Sequence, residues 1–257
     1  MLDNQQVAEN IEKARMRIAE YCKRCNRTEK PLLLAATKTV PVEQINFVIR
    51  ECGITDIGEN RVQELLEKYD SLDKSVRLHF IGRLQRNKVK YIIDKVCMIQ
   101  SADSLPLIEE IEKQAAKREL TMDILLEVNS GREPQKGGFF PEELETVLPV
   151  IADFPHVRVK GLMAVSPVCT NKQDIYKYFE ESSQKFIDIS GKRLHNIAMS
   201  ILSMGMSDSL EPAVLSGSTM VRLGSALFGK RSYPENNPAK QNPEPEKKQD
   251  HINLRRN

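Results

Sequence analysis

Several features are missing from this 257-residue chain, and each absence narrows its function. No apolar run approaches the length of a membrane span. The opening residues, Met1-Leu-Asp-Asn-Gln-Gln, have neither a charged leader nor an apolar stretch, so no signal peptide is expected. There is no excess of one charge: 38 basic residues face 36 acidic ones, a balance that gives no field strong enough to select nucleic acid or a membrane surface. The five cysteines, Cys22, Cys25, Cys52, Cys97 and Cys169, are scattered and odd in number, which suits a reducing cytoplasm rather than a disulfide framework. Cys22-Lys-Arg-Cys25 has the spacing of half a zinc site, but it has no second pair or nearby histidine and falls in a helical pattern, so no metal is expected. Gly-x-Gly-x-x-Gly is also absent after the first strand pattern, which argues against an open dinucleotide-binding sheet.

What is present is alternation. Residues 4–25 carry Val7, Ile11, Ala14, Ile18 and Tyr21 at helical spacing, predicting an N-terminal amphipathic helix. Strand patterns follow at Leu32–Lys38, Asp56–Gly58, Arg77–Gly82, Val96–Ser101, Asp123–Asn129, Val157–Val165, Ser200–Met204 and Met220–Gly224. Helical patterns lie between them at Val42–Cys52, Arg61–Tyr69, Asn87–Ile93, Ser104–Arg118, Pro141–Ala152, Asp174–Ser190 and Ser209–Leu215, with a last short turn or helix at Ser225–Phe228. Eight β/α units with short connections predict a parallel sheet closed into a (β/α)8 TIM barrel, α/β in class, over residues 1–231. From residue 232 to 257 the chain is rich in proline and charge and poor in apolar residues. It is expected to be a disordered polar tail, with nothing resembling a second domain after the barrel.

Barrels of this type place their chemistry at the carboxyl ends of the strands. The first strand pattern ends in Lys38, an amine at a strand-to-helix mouth where it can meet a carbonyl; the plainer reading is a lysine reaching for solvent. The last two units end in Leu202-Ser203-Met204-Gly205-Met206-Ser207 and Ser216-Gly-Ser-Thr-Met-Val-Arg222-Leu223-Gly224-Ser225. Small residues, hydroxyls and a helix start make a cup for a phosphate, although small residues also serve plain tight packing. A strand-end lysine and a phosphate cup in one mouth are what pyridoxal 5′-phosphate requires.

The strings Ala36-Thr37-Lys38-Thr39, Ile57-Gly-Glu-Asn60-Arg-Val-Gln-Glu64, His79-Phe-Ile81-Gly82-Arg-Leu-Gln-Arg-Asn-Lys88 and Gly161-Leu-Met-Ala164 resemble the pyridoxal phosphate homeostasis protein family. So do the two terminal segments, and the resemblance covers residues 4–231. It implies a barrel like the N-terminal domain of alanine racemase, the fold-type III arrangement of pyridoxal phosphate proteins. By matching position, the resemblance implies that Lys38 is the Schiff-base lysine and that Arg222 faces the pyridine nitrogen. It implies that Ser203, Gly224 and Ser225 hold the phosphate, that Asn60 with His79, Ile81 and Gly82 lines the pocket, and that Met204 also belongs to the cofactor site. Ser225 stands where a threonine is common, and Ser166 departs from a Pro-Pro that often follows Gly-Leu-Met-Ala.

The chemistry so implied favours a carrier. A guanidinium donates and does not give up its proton, so a ring nitrogen facing Arg222 stays unprotonated and withdraws electrons poorly. Fold-type III racemases use a second base, a tyrosine from a further domain, and Tyr233 is the only late tyrosine here. The implied role is binding, buffering or delivery of pyridoxal phosphate, with apo-enzymes as recipients, in a cytoplasmic monomer, with effects on amino-acid and keto-acid balance. The alternative is an active fold-type III enzyme such as a weak amino-acid racemase. A class I aldolase using Lys38 would need acidic partners, for which only Glu59 and Glu127 offer themselves. The basic run Arg83, Arg86, Lys88 and Lys90 reads as a solvated face or the rim of the mouth.

Overall fold

A computed structural model describes residues 2–167, 171–192 and 194–229, with only the backbone of Lys172. Among these, eight strands form one closed barrel in sequence order: β1 (Leu32–Ala36), β2 (Asp56–Glu59), β3 (Arg77–Phe80), β4 (Met98–Ala102), β5 (Met122–Val128), β6 (Val157–Ala164), β7 (Ile197–Met204) and β8 (Met220–Leu223). Every neighbouring pair is parallel, and β1 closes the ring against β8 with Leu34 opposite Arg222. The helices are α1 (Asn4–Arg24), α2 (Val42–Arg50), α3 (Val62–Tyr69), α4 (Val89–Ile92), α5 (Leu105–Ala116), α6 (Leu144–Ala152), α7 (Lys172–Ser190), α8 (Leu210–Leu215) and α9 (Ser225–Phe228). The TIM barrel expected from the alternation is therefore present, with the extra helix in front.

That helix begins where Asp3 accepts the Gln6 N–H at 2.8 Å, a side-chain N-cap. Its buried stripe, Val7, Ile11, Ala14, Ile18 and Tyr21, is the predicted one. It packs on α8 and α9, and Asn10 donates to the Leu227 carbonyl at 3.0 Å, so the front of the chain braces its last helical turn.

The apolar residues divide into two sets. One large cluster fills the layer between sheet and helices, while Met98, Leu125 and Met163 form a small one of their own, joined by Val165 and Ile201. Strand alternation accounts for the split: Met98 and Gln100, Leu125 and Glu127, Met163 and Val165 face one way, and their intervening neighbours face the helices.

Several boundaries moved. β1 stops at Ala36 rather than Lys38, because the chain turns through Thr39 at φ 64°. Helix at residues 87–93 is a 3-10 turn over Arg86–Lys88 followed by the short α4. β7 starts at Ile197, three residues early, paired with Val159 of β6. The tail from residue 232 and Cys169 lie outside the described residues.

Candidate functional site

Lys38 lies two residues past the end of β1, half-buried, and both its chain neighbours are tied down. Thr37 donates its N–H to the Gly58 carbonyl at 3.0 Å and its hydroxyl to Glu59 Oε1 at 2.7 Å. Thr39 donates its N–H to Glu64. Lys68 on α3 joins these anchors: its Nζ reaches the Thr37 carbonyl at 2.9 Å, Glu59 at 2.8 Å and Glu64 at 2.7 Å. The backbone that carries Lys38 is thus clamped from behind by β2 and α3. Burial pushes the Glu59 carboxyl up, against the pull of Lys68. Its Oε2 is buried without a hydrogen-bond partner.

On the far side of β1, the chain after β7 turns through Gly205 at φ 97°, where a Cβ would lie 2.4 Å from the Ala213 methyl. That turn delivers Ser207 to the start of α9. Ser207 Oγ accepts the Ala226 N–H and the Ser225 hydroxyl, each at 3.0 Å. Two hydroxyls and the start of α9 therefore converge beside Gly224, with Ser207 capping the Ala226 N–H.

Arg222 rises from the inner face of β8 and is 5% exposed. One terminal nitrogen donates to the Ser203 carbonyl and hydroxyl, both at 2.8 Å, and the other donates to the Ala164 carbonyl at 3.1 Å. A guanidinium has five N–H donors, so two remain for the mouth that Arg222 also lines. Burial lowers the guanidinium to about 10, with Glu127 opposing, and it stays charged at neutral pH.

Beneath Arg222 a chain of buried side chains crosses the barrel. The Ser203 hydroxyl donates to Gln100 Oε1 at 2.7 Å. Gln100 Nε2 lies 3.1 Å from His79 Nδ1, and His79 Nε2 lies 2.8 Å from Asp56 Oδ1. Arg222 can only donate, so with His79 neutral every bond runs one way, ending in an Nε2–H that donates to the Asp56 carboxylate. Burial alone would raise Asp56. Hydrogen bonds from His79 and Thr55 outweigh it and hold the carboxylate below its usual range. The same Asp56 contact lifts the His79 imidazole in spite of its burial.

Seven of the residues singled out from sequence line one cleft of about 710 Å3 at the strand ends: Lys38, Asn60, Ile81, Gly82, Arg222, Gly224 and Ser225. Gly82 makes this possible, since a Cβ there would fall 2.1 Å from the Asn60 carbonyl oxygen. The other three are fully buried and lie outside the lining: His79 and Ser203 belong to the chain beneath Arg222, and Met204 packs in the sheet–helix core. Ala36, Arg83, Val165, Met206, Ser207 and Asp208 complete the wall. Gln100 and Asp56 went unread in the sequence, where the signal was a glutamine inside the apolar run Met98-Ile99-Gln100. Glu127 faces the same end of the barrel; burial and Asp103 raise its carboxyl to about 7, against Arg222 and Arg83. Among the described residues, no three His, Cys, Asp or Glu side chains cluster as a metal site would need.

The closed eight-stranded barrel agrees with comparison to known proteins. The alanine racemase N-terminal domain family matches residues 2–232, and the chain belongs to that family. Within it, the chain belongs with the pyridoxal phosphate homeostasis proteins. It is 44% identical over 230 residues to the protein of that name from Aquifex aeolicus, covering 88% of this chain and 98% of the relative. The Escherichia coli K12 protein of the same name is 32% identical over 232 residues, covering 88% and 97% of the two chains. Among solved structures, PipY of Synechococcus elongatus with PLP bound superposes with a TM-score of 0.74 at 27% identity, covering 87% of this chain and all (100%) of that one. An alanine racemase of Clostridium difficile matches at a TM-score of 0.62 and 17% identity over 89% of this chain and 58% of its own, a likeness of fold.

Proposed function

We propose that this protein binds pyridoxal 5′-phosphate through Lys38 and serves the cell's homeostasis of that cofactor by holding and releasing it. The observation that carries this is the gathering of Lys38, Arg222 and the Ser207–Ser225–α9 cup in one open cleft. The donor set fits the group. The cup offers hydroxyls and backbone N–H to a phosphate, and Arg222 has two donors left for a ring nitrogen. When bound, the cofactor supplies an electrophilic aldehyde carbon for an amine to attack. Lys38 is the amine in that cleft, on a backbone clamped by Thr37, Thr39 and Lys68. Arg222 stays a donor because it is charged, so it leaves a facing ring nitrogen without a proton and the ring a weak electron sink. Asn60, Ile81 and Gly82 form the wall beside Lys38, while His79, Ser203 and Met204 support the site from beneath.

Binding without turnover is the reading that the relatives' names support. Racemisation needs two bases on opposite faces of the reacting carbon, and no tyrosine is among the described residues lining the cleft. We extend the proposal to the chain's organisation: residues 1–231 form the cofactor-binding domain, 232–257 a polar extension, and the protein acts as a cytoplasmic monomer that hands its cofactor to apo-enzymes. Among the described residues no helix is long and apolar enough to cross a membrane. Hand-over is rejected if labelled cofactor reaches an apo-enzyme no faster than it dissociates into buffer.

The deciding experiment is an absorbance spectrum with added pyridoxal phosphate. A band at roughly 420 nm that borohydride bleaches, with the label recovered on Lys38 and lost in Lys38→Ala, is expected for a lysine–aldehyde linkage. No band in the wild type overturns the assignment. A reproducible amino-acid turnover abolished by Lys38→Ala would replace the carrier with an enzyme.

A further inference from the structure

The order of strands in the barrel arranges the cleft along a line. The anion cup belongs to the ends of β7 and β8, Lys38 to β1, Asn60 to β2, and Arg83 to the turn after β3. Arg83 therefore lies beyond Lys38 as seen from the cup. It is exposed, and among the described residues no hydrogen bond or ion pair occupies its guanidinium; it acts electrostatically on Glu127. The neighbouring cations of that loop, Arg86 and Lys88, line adjacent clefts and not the one that holds Lys38. Arg83 is held in place by its chain neighbours. Gly82 is pressed against the Asn60 backbone and its carbonyl accepts the Ser101 hydroxyl, while Leu84 is buried in the core.

We infer that Arg83 reads the carboxylate of an incoming amine, so that amino acids, rather than amines at large, are the ligand class that exchanges with Lys38. The inference rests on the proposed cofactor reading. A ligand anchored by its phosphate in the cup, with its reactive carbon at Lys38, presents whatever is attached to that carbon toward the β3 side of the cleft. An amino acid arriving there as the free amine takes over the carbon–nitrogen double bond that Lys38 gives up, and its two nitrogen-bound protons pass to Nζ, which leaves as the amine. No oxidant or reductant is required. Its carboxylate then finds a planar fork of N–H donors suited to bidentate pairing. Asp208, the one carboxylate among the described residues lining this cleft, follows β7 on the cup side, while Asp103 borders Arg83 in the adjacent cleft.

The test compares L-alanine with 2-aminoethanol, an amine of similar basicity without the carboxylate. Each is titrated into the cofactor-loaded protein, and the fraction of cofactor still trapped on Lys38 by borohydride is measured. Alanine is expected to release Lys38 at a concentration roughly fivefold lower than 2-aminoethanol, the scale of one ion pair at an exposed guanidinium. Arg83→Gln should erase that preference by weakening alanine alone, and Arg83→Lys should restore part of it. Equal potency of the two amines in the wild type, or an equal loss for both in Arg83→Gln, would overturn the assignment. If the wild-type protein shows no borohydride-trapped cofactor at all, it is the cofactor reading that has failed and not the role of Arg83.

Discussion

The barrel carries two polar layers that differ in how many hydrogen-bonding valences they leave open. In the lower one, Asp56, His79, Gln100 and Ser203 are buried and joined in a single file with one direction of donation. In the upper one, Lys38, Arg83, Ser207 and Ser225 line an open cleft. Arg222 belongs to both. The difference teaches where rigidity and reactivity are kept apart: the lower layer orients Arg222 at the expense of stability if any member is lost, and the upper layer can change with little cost to the fold.

The largest effect should come from breaking the lower file. His79→Leu leaves the Asp56 carboxylate buried without its main partner, and urea unfolding should show a loss of about 3–5 kcal/mol. His79→Gln, which can donate and accept, should recover part of it. A loss under about 1 kcal/mol for His79→Leu would show that the file is not under tension.

A smaller effect, at the boundary of the layers, belongs to Glu127. Its folded-state value of about 7 lies above the ordinary 4.5, so its contribution to stability is complete below about 4.5 and is lost as pH rises through about 7. Between pH 5 and 8 the wild type should lose up to about 3 kcal/mol from this residue, less in proportion to its partial exposure. Glu127→Gln should flatten that slope, read from denaturation midpoints at the two pH values.

The smallest effect should appear in the upper layer. Ser207→Ala removes one acceptor at the start of α9 and should change stability by about 1 kcal/mol or less. It should nevertheless weaken retention of pyridoxal phosphate, measured by dialysis of the loaded protein. If Ser207→Ala destabilised the fold as much as His79→Leu, the two layers would not be separable.

Much of this was legible in the chain because β/α alternation has a period that side-chain polarity reports directly. Lys38 and Arg222 stood out as charges in or beside strand patterns, and the Gly/Ser segments marked the cup. His79 was read as pocket wall and Ser203 as a phosphate position, yet both lie beneath the cleft, since periodicity tells which face of a strand a residue occupies but not its depth along the barrel. Gln100 was passed over because a buried glutamine becomes visible only when its partners, 21 and 103 residues away in sequence, are brought to it. Arg83 looked like one of four cations on a solvated rim, and only the turn after β3 separates it from the others.

By itself, then, the sequence determined the barrel and the N-terminal helix and marked Lys38 and Arg222 as charges at strand ends, because local periodicity and strand ends are properties of neighbouring residues. The tertiary structure alone decided which polar groups are spent on one another and which remain open to a ligand. That partition depends on contacts across the closed ring, such as Arg222 of β8 with Ala164 of β6 and Ser203 of β7, which no stretch of chain contains.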